Sequence, residues 1–113
     1  MPLRHLALKS RDLAATERFY VDLLGLQIAF PHRGMLFLET PRDDDLLNFV
    51  QTRRPIAADA GGFDHFGVHF PRGEWRKVCA RLKRAGVRVR GRRGRSAIYV
   101  EDPNGYTVEL YCD

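Results

Sequence analysis

Cysteine is scarce in this 113-residue chain: Cys79 and Cys112 stand apart and form no Cys-x-x-Cys pair. A thiol-reducing cytoplasm is therefore the expected compartment. No disulfide staple is needed either, because a chain of this size buries roughly two thirds of the surface it exposes when unfolded. Long apolar runs are absent. Nothing approaches the roughly 18 residues that span a bilayer, so no membrane partner is expected, and the opening Met-Pro-Leu-Arg-His lacks a signal-peptide core. Collagen repeats and coiled-coil heptads are missing as well. The length is too small for two ordinary domains, and an apolar content of 44% excludes disorder.

Charge is present in excess. Nineteen basic residues face 14 acidic ones, giving +5, and 16 of the 19 are arginine. The excess crowds into Arg84, Arg88, Arg90, Arg92, Arg93 and Arg95. A basic stretch attracts nucleic acid or an anionic small molecule. No nucleic-acid motif accompanies it, so a solvated Arg-rich loop is the plainer reading and nucleic acid is not the expected partner.

Comparing the chain with itself reveals a repeat. His5-Leu6-Ala7-Leu8, a helical stretch and Leu24-Gly25-Leu26-Gln27-Ile28 are matched by His65-Phe66-Gly67-Val68, a second helical stretch and Ala85-Gly86-Val87-Arg88-Val89. Both halves read strand, helix, strand, strand, strand. The expected fold is α+β: two βαβββ modules, 1–52 and 62–113, joined by a loop over 52–62. Related by a pseudo-twofold, they form one curved, mixed-sheet cup as a single domain, 1–113.

Leu13, Thr16, Tyr20, Leu23 and Leu24 share one helical face behind Asp12 as N-cap. Trp75, Val78, Leu82 and Ala85 form a second stripe. Both helices stop at a glycine, Gly25 or Gly86. The strands alternate. Leu6 and Leu8 oppose His5, Ala7 and Lys9; Phe66, Val68 and Phe70 oppose His65, Gly67 and His69; Tyr106, Val108 and Leu110 oppose Thr107, Glu109 and Tyr111. Asp102-Pro103-Asn104-Gly105 is a turn before the last strand, and Asp43-Asp44-Asp45 is its expected counterpart.

The polar residues therefore share one face. Under the repeat His5 maps to His65, and Glu109 maps to Asn48. A lone strand histidine is ordinarily a satisfied core residue, and a lone glutamate near a terminus is ordinarily solvated. Two histidines at equivalent positions, with a glutamate on the last strand, argue instead for a divalent metal. Two imidazoles and a carboxylate form a facial triad that leaves positions open for substrate. Tyr99, one strand from Glu109, is expected to orient or protonate substrate, or else to be a hydrogen-bonded core tyrosine. His69 lines the pocket or is a strand-end histidine. Asn48 and Lys9 are candidate substrate-binding residues, with a structural amide and a surface lysine as the plainer alternatives. Leu36, Leu38, Leu46 and Val50 are candidate apolar walls. Arg93, in the Arg90–Arg95 loop, is the candidate partner for an acidic substrate group.

His5-Leu-Ala-Leu, Asp12-Leu13, Phe19-Tyr20 and Leu24-Gly25-Leu26 at one end, with Tyr99-Val-Glu-Asp-Pro-Asn-Gly-Tyr-Thr-Val-Glu109-Leu110 at the other, resemble the vicinal oxygen chelate superfamily. That group contains glyoxalase I, extradiol dioxygenases, fosfomycin-resistance enzymes and bleomycin-resistance proteins. The resemblance implies paired βαβββ modules and metal ligands at His5, His65 and Glu109. It also implies one divalent cation (Fe, Mn, Ni, Co or Zn), a homodimer, and dioxygenase, lyase, isomerase or transferase chemistry on an oxygen-chelating small molecule. The alternative is a metal-free drug-sequestering protein of the bleomycin-binding kind. Departures narrow the choice. Asn48 stands where glyoxalase I carries a carboxylate ligand; Ala7 and Gly91-Arg-Arg-Gly-Arg95 replace a threonine and a serine-rich loop of the fosfomycin thiol transferases.

Overall fold

The computed structural model describes residues 2–58 and 61–113 and contains two compact units, Met1–Ile56 and Ala57–Asp113. Asp59 and Ala60, within the expected 52–62 loop, lie outside the described residues.

In the first unit the chain runs β1 (His5–Ser10), α1 (Leu13–Glu17) with a π-helical extension (Arg18–Leu23), β2 (Gln27–Phe30), β3 (Met35–Glu39) and β4 (Leu46–Gln51). The sheet order is β1-β4-β3-β2, with β1 parallel to β4 and the other neighbours antiparallel. Asp12 caps α1 by accepting from the Ala15 amide at 3.0 Å, as its position predicts. Ser10 and Thr16, both fully buried, bond to each other at 2.9 Å and tie the strand end to the helix.

The helix departs from the continuous α-helical face expected over residues 13–24. The Leu24 amide donates to Phe19 O at 3.2 Å, an i to i+5 bond of the π type. The wider turn lets consecutive residues Phe19 and Tyr20 both enter the core, while Leu23 stays half-exposed. Tyr20 then packs on Phe49 of β4, with ring centroids 5.2 Å apart.

The second unit repeats the order: β5 (Phe66–His69), α2 (Arg72–Arg84), β6 (Val89–Arg93), β7 (Ala97–Glu101) and β8 (Thr107–Tyr111), in sheet order β5-β8-β7-β6. Again the outer pair, β5 and β8, is parallel. Val78 and Leu82 of α2 are buried; Trp75 is half-buried and donates its indole N–H to Leu110 O at 2.8 Å. Ala85, expected on the apolar stripe, is exposed because it is already the C-cap. Gly25 and Gly86 follow the helix ends with φ of 85° and 77°, the left-handed conformation that terminates a helix. Neither sheet closes into a barrel. Among the described residues no helix is long and apolar enough to cross a membrane.

The turn before β8 hangs on Asp102. Its buried carboxylate accepts from the Asn104 and Tyr106 amides, both at 2.9 Å, and its carbonyl accepts from the Gly105 amide at 3.0 Å. In the first unit Asp45 holds the matching loop, accepting from the Thr40 amide and hydroxyl, each at 2.8 Å. Replacing Asp102 by alanine leaves two amide donors without their acceptor. We expect Asp102→Ala to cost about 2–4 kcal/mol of stability in urea unfolding.

Candidate functional site

Strand register assembles a polar row on the second sheet. Gly67 of β5 pairs with Glu109 of β8, Glu109 with Tyr99 of β7, and Tyr99 with Gly91 of β6. The intervening residues Val68, Leu110, Ile98, Val108 and Val100 are buried in the core. Glycine at both ends of the row keeps side chains away from Glu109 and Tyr99; a Cβ on Gly67 would sit only 3.1 Å from the Tyr111 ring.

A β-bulge decides which arginine joins this face. Val89 pairs with Val100, but the next pair is Gly91 with Tyr99, followed by Arg93 with Ala97. Plain alternation from Val89 would turn Arg93 toward the core face. The extra residue reverses the parity and aims it at Glu109 instead.

Five side chains form the cluster on this face. Arg93 Nη2 donates to Glu109 Oε2 at 2.5 Å, and His65 Nε2 lies 3.1 Å from Glu109 Oε1. The other imidazole nitrogen, Nδ1, lies 2.5 Å from Asp64 Oδ2. The Tyr99 ring stands edge-on to His65 with centroids 5.4 Å apart, and Arg93 also hydrogen-bonds the Tyr99 side chain. The Glu109 side chain is only 12% exposed, whereas that of Arg93 is 58% exposed. The guanidinium therefore covers a carboxylate that water barely reaches.

The electrostatics follow. Arg93, and after it His65, hold the Glu109 carboxyl below its ordinary range against the opposing effect of burial. Asp64 raises the His65 imidazole; partial burial opposes this and Glu109 reinforces it. With a carboxylate on each ring nitrogen, the protonated imidazole donates to both.

The remaining expected site residues fall elsewhere. His69, two residues beyond Gly67, faces Asp113 Oδ1 at 3.0 Å and the Tyr111 ring, not His65. In the first unit, His5 is exposed at the start of β1 opposite Leu46, Asn48 pairs with Ala7 and Phe37, and Lys9 is exposed opposite Val50. Asn48 is buried and its Oδ1 has no hydrogen-bond partner. Leu46 and Val50 share the Asn48 face, but Leu36 and Leu38 do not: they pair with Phe49 and Leu47 on the core side, so they are not walls of an Asn48 pocket. Among the described residues no three His, Cys, Asp or Glu side chains converge in ligating geometry. Sequence reasoning missed Asp64, whose only signal was a carboxylate immediately before His65.

The fold and this cluster define a class: two βαβββ units, the second carrying a histidine and a buried glutamate on the polar face of its sheet. Residues 3–110 match the model of the Glyoxalase/Bleomycin resistance protein/Dioxygenase superfamily, and the chain belongs to that family. It is 27% identical over 122 aligned positions to biphenyl-2,3-diol 1,2-dioxygenase 3 of Rhodococcus globerulus, covering 98% of this chain and 63% of that protein. The chain thus spans less than two thirds of this relative's length. Among solved structures, a glyoxylase/bleomycin resistance protein/dioxygenase domain from Frankia sp. EAN1pec superposes with a TM-score of 0.81 at 16% identity, covering 99% of this chain and 97% of that one. The fosfomycin resistance protein FosX from Mesorhizobium loti gives a TM-score of 0.75 at 19% identity, with coverages of 99% and 92%. These two likenesses concern the fold.

The cluster makes a pH prediction for the metal-free protein. In an NMR titration His65 should titrate above 6.5, and Asp64→Asn should bring it down. Because the folded value is raised, the associated stability is full below 6.5 and is lost as pH rises through the folded value. A His65 midpoint at or below 6.5 would contradict the assignment.

Proposed function

We propose that this chain is a divalent-metal-dependent enzyme of the glyoxalase/dioxygenase group, acting on a small molecule that chelates through two neighbouring oxygens. One observation carries the reading. His65 Nε2 and Glu109 Oε1 lie 3.1 Å apart, close to the ~3.0 Å edge that two adjacent ligands make at ~2.1 Å from a shared octahedral or tetragonal cation. Asp64, backing the far nitrogen of His65, supports it: a second carboxylate on Nδ1 orients a ligating imidazole and frees Nε2. His5 is the third donor, from the same chain or from a second copy. The bound cation, Fe, Mn, Ni, Co or Zn, would supply Lewis-acid stabilisation to the two substrate oxygens.

The chain's own side chains do the rest. Arg93 keeps Glu109 ionised, and Tyr99 gives or takes a proton beside His65. Asn48 accepts a hydrogen bond from substrate through its unpartnered Oδ1. His69 and Lys9 line the rim of the pocket. The two modules work as one domain of a homodimer, and two free cysteines suit a reducing cytoplasm. The name of the Rhodococcus relative, a dioxygenase of a biphenyl-2,3-diol, supports catechols as the first substrates to try.

A second reading has its own observation. Glu109 is already compensated by Arg93 and His65, so the same face suits a metal-free drug-sequestering protein.

Elemental analysis separates the two. After reconstitution with each of the five metals, wild type should hold about one equivalent per chain, and His65→Ala and Glu109→Ala should hold almost none. No stoichiometric metal with any of them favours the binder. A metal-loaded screen of catechols, 2-oxoaldehyde–thiol adducts and fosfomycin with thiols then identifies the reaction. Light scattering should give twice the 13.0 kDa chain mass; a stable monomer at high concentration would contradict the homodimer.

A further inference from the structure

Arg93 sits on the one carboxylate oxygen of Glu109 that His65 leaves unused, and it reaches that oxygen from the solvent side. Its own stretch of chain offers it no alternative anion. Residues 76–95 hold ten arginines and lysines and not a single aspartate or glutamate. Arg90, the neighbour on the same strand, is engaged with Glu101. This is a local feature and not a general bias of the chain. The corresponding stretch of the first unit, residues 15–34, carries Arg18 and Arg33 against Glu17 and Asp22. There Phe30, which stacks on Phe37 at 4.4 Å, takes the place of Gly91, and the residue two positions on, where the second unit has Arg93, is His32, edge-on to the same Phe37 ring.

A divalent cation bound at His65 and Glu109 would take up the same negative charge that now holds the guanidinium, and would repel it. The β-bulge that aims Arg93 at this face also keeps it there after that bond weakens. With no other carboxylate in its segment, the guanidinium is left as an unpaired cation at the site, with planar donors that match an oxyanion.

We infer that Arg93 and the divalent cation compete for Glu109, and that the displaced guanidinium receives a carboxylate or phosphonate group of the ligand, so that cation and anionic ligand bind cooperatively. This rests on the metal-enzyme reading above and names the substrate class: a vicinal-oxygen chelator bearing an acidic group. Coupling between two such sites is reciprocal: whatever factor the cation gives the anion, the anion returns.

Zinc, which is redox-inactive, serves as the probe cation in calorimetric titrations of the metal-free protein. Arg93→Gln should bind zinc about tenfold more tightly than wild type, with Arg93→Lys in between, an effect within the usual range for coupled sites. Glu109→Gln should abolish the effect of Arg93→Gln. On the zinc-loaded protein, 3,4-dihydroxybenzoate should bind about tenfold more tightly than catechol, and Arg93→Gln should erase that preference. A 3,4-dihydroxyphenylphosphonate arm tells a carboxylate receptor from a phosphonate receptor. Equal or weaker zinc binding by Arg93→Gln overturns the competition. An unchanged preference for the acidic catechol in Arg93→Gln overturns the receptor role. Uptake of none of the five metals, zinc included, by wild type or variant instead defeats the metal-enzyme reading itself, and the two failures are thereby distinguishable.

Discussion

A nearly water-free carboxylate governs the second unit. Glu109 projects from the centre of β8, between Gly67 and Tyr99, with its side chain 12% exposed. An ionised carboxyl so placed is costly unless charge or hydrogen bonds compensate it. His65 answers on one oxygen and Arg93 on the other, and Asp64 in turn fixes His65. Glu109 is the group that bonds to both Arg93 and His65 and so joins the guanidinium to the His65–Asp64 pair. The glycines at either end of the row leave this carboxylate both hidden and reachable, and the bulge in β6, which recurs in β2 between Ile28 and Phe30, is a feature of the repeat that here brings in Arg93.

The two units answer the same topological question with different chemistry. The row Gly67–Glu109–Tyr99 corresponds in register to Ala7–Asn48–Phe37. The sequence offsets between partners are 60, 61 and 62, in the order small residue, polar residue, aromatic ring. The step from 62 to 61 has a concrete origin: the loop from β3 to β4 is one residue longer than the turn from β7 to β8. A small residue, a polar residue and an aromatic ring recur across three strands. Only in the second unit is the polar residue ionised, and only there does the fourth strand contribute a cation.

Much of this was legible in the residues. Apolar alternation assigned the faces of β1, β5 and β8, the two glycines marked the helix ends, and the repeat paired Asn48 with Glu109. All of these follow from periodicities of about two or 3.6 that each strand or helix imposes on its own sequence. What escaped notice came from breaks in those periods. The π-type turn at Phe19 admits two adjacent aromatics to the core, which no 3.6-residue wheel anticipates. The bulge between Val89 and Gly91 reverses the facing of Arg93, so strict alternation would have sent it to the wrong side. Leu36 and Leu38 were open to either facing until the pairing of β3 with β4 settled them against Phe49 and Leu47.

Glu109 and Asn48 show how differently two buried polar side chains can be satisfied. Around His65 each donor has an acceptor, and the charges alternate in sign from Asp64 through His65 and Glu109 to Arg93. Such a chain is self-consistent without any ligand, and a ligand can enter it only by taking one member's place. Asn48 is the reverse: its buried oxygen has no partner, and that unmet demand persists until a donor arrives. Recognition at the first kind of position is substitution, and its affinity is the small difference between two strong interactions. At the second kind the partner satisfies a group that had none, so the gain is not offset by a bond broken within the protein.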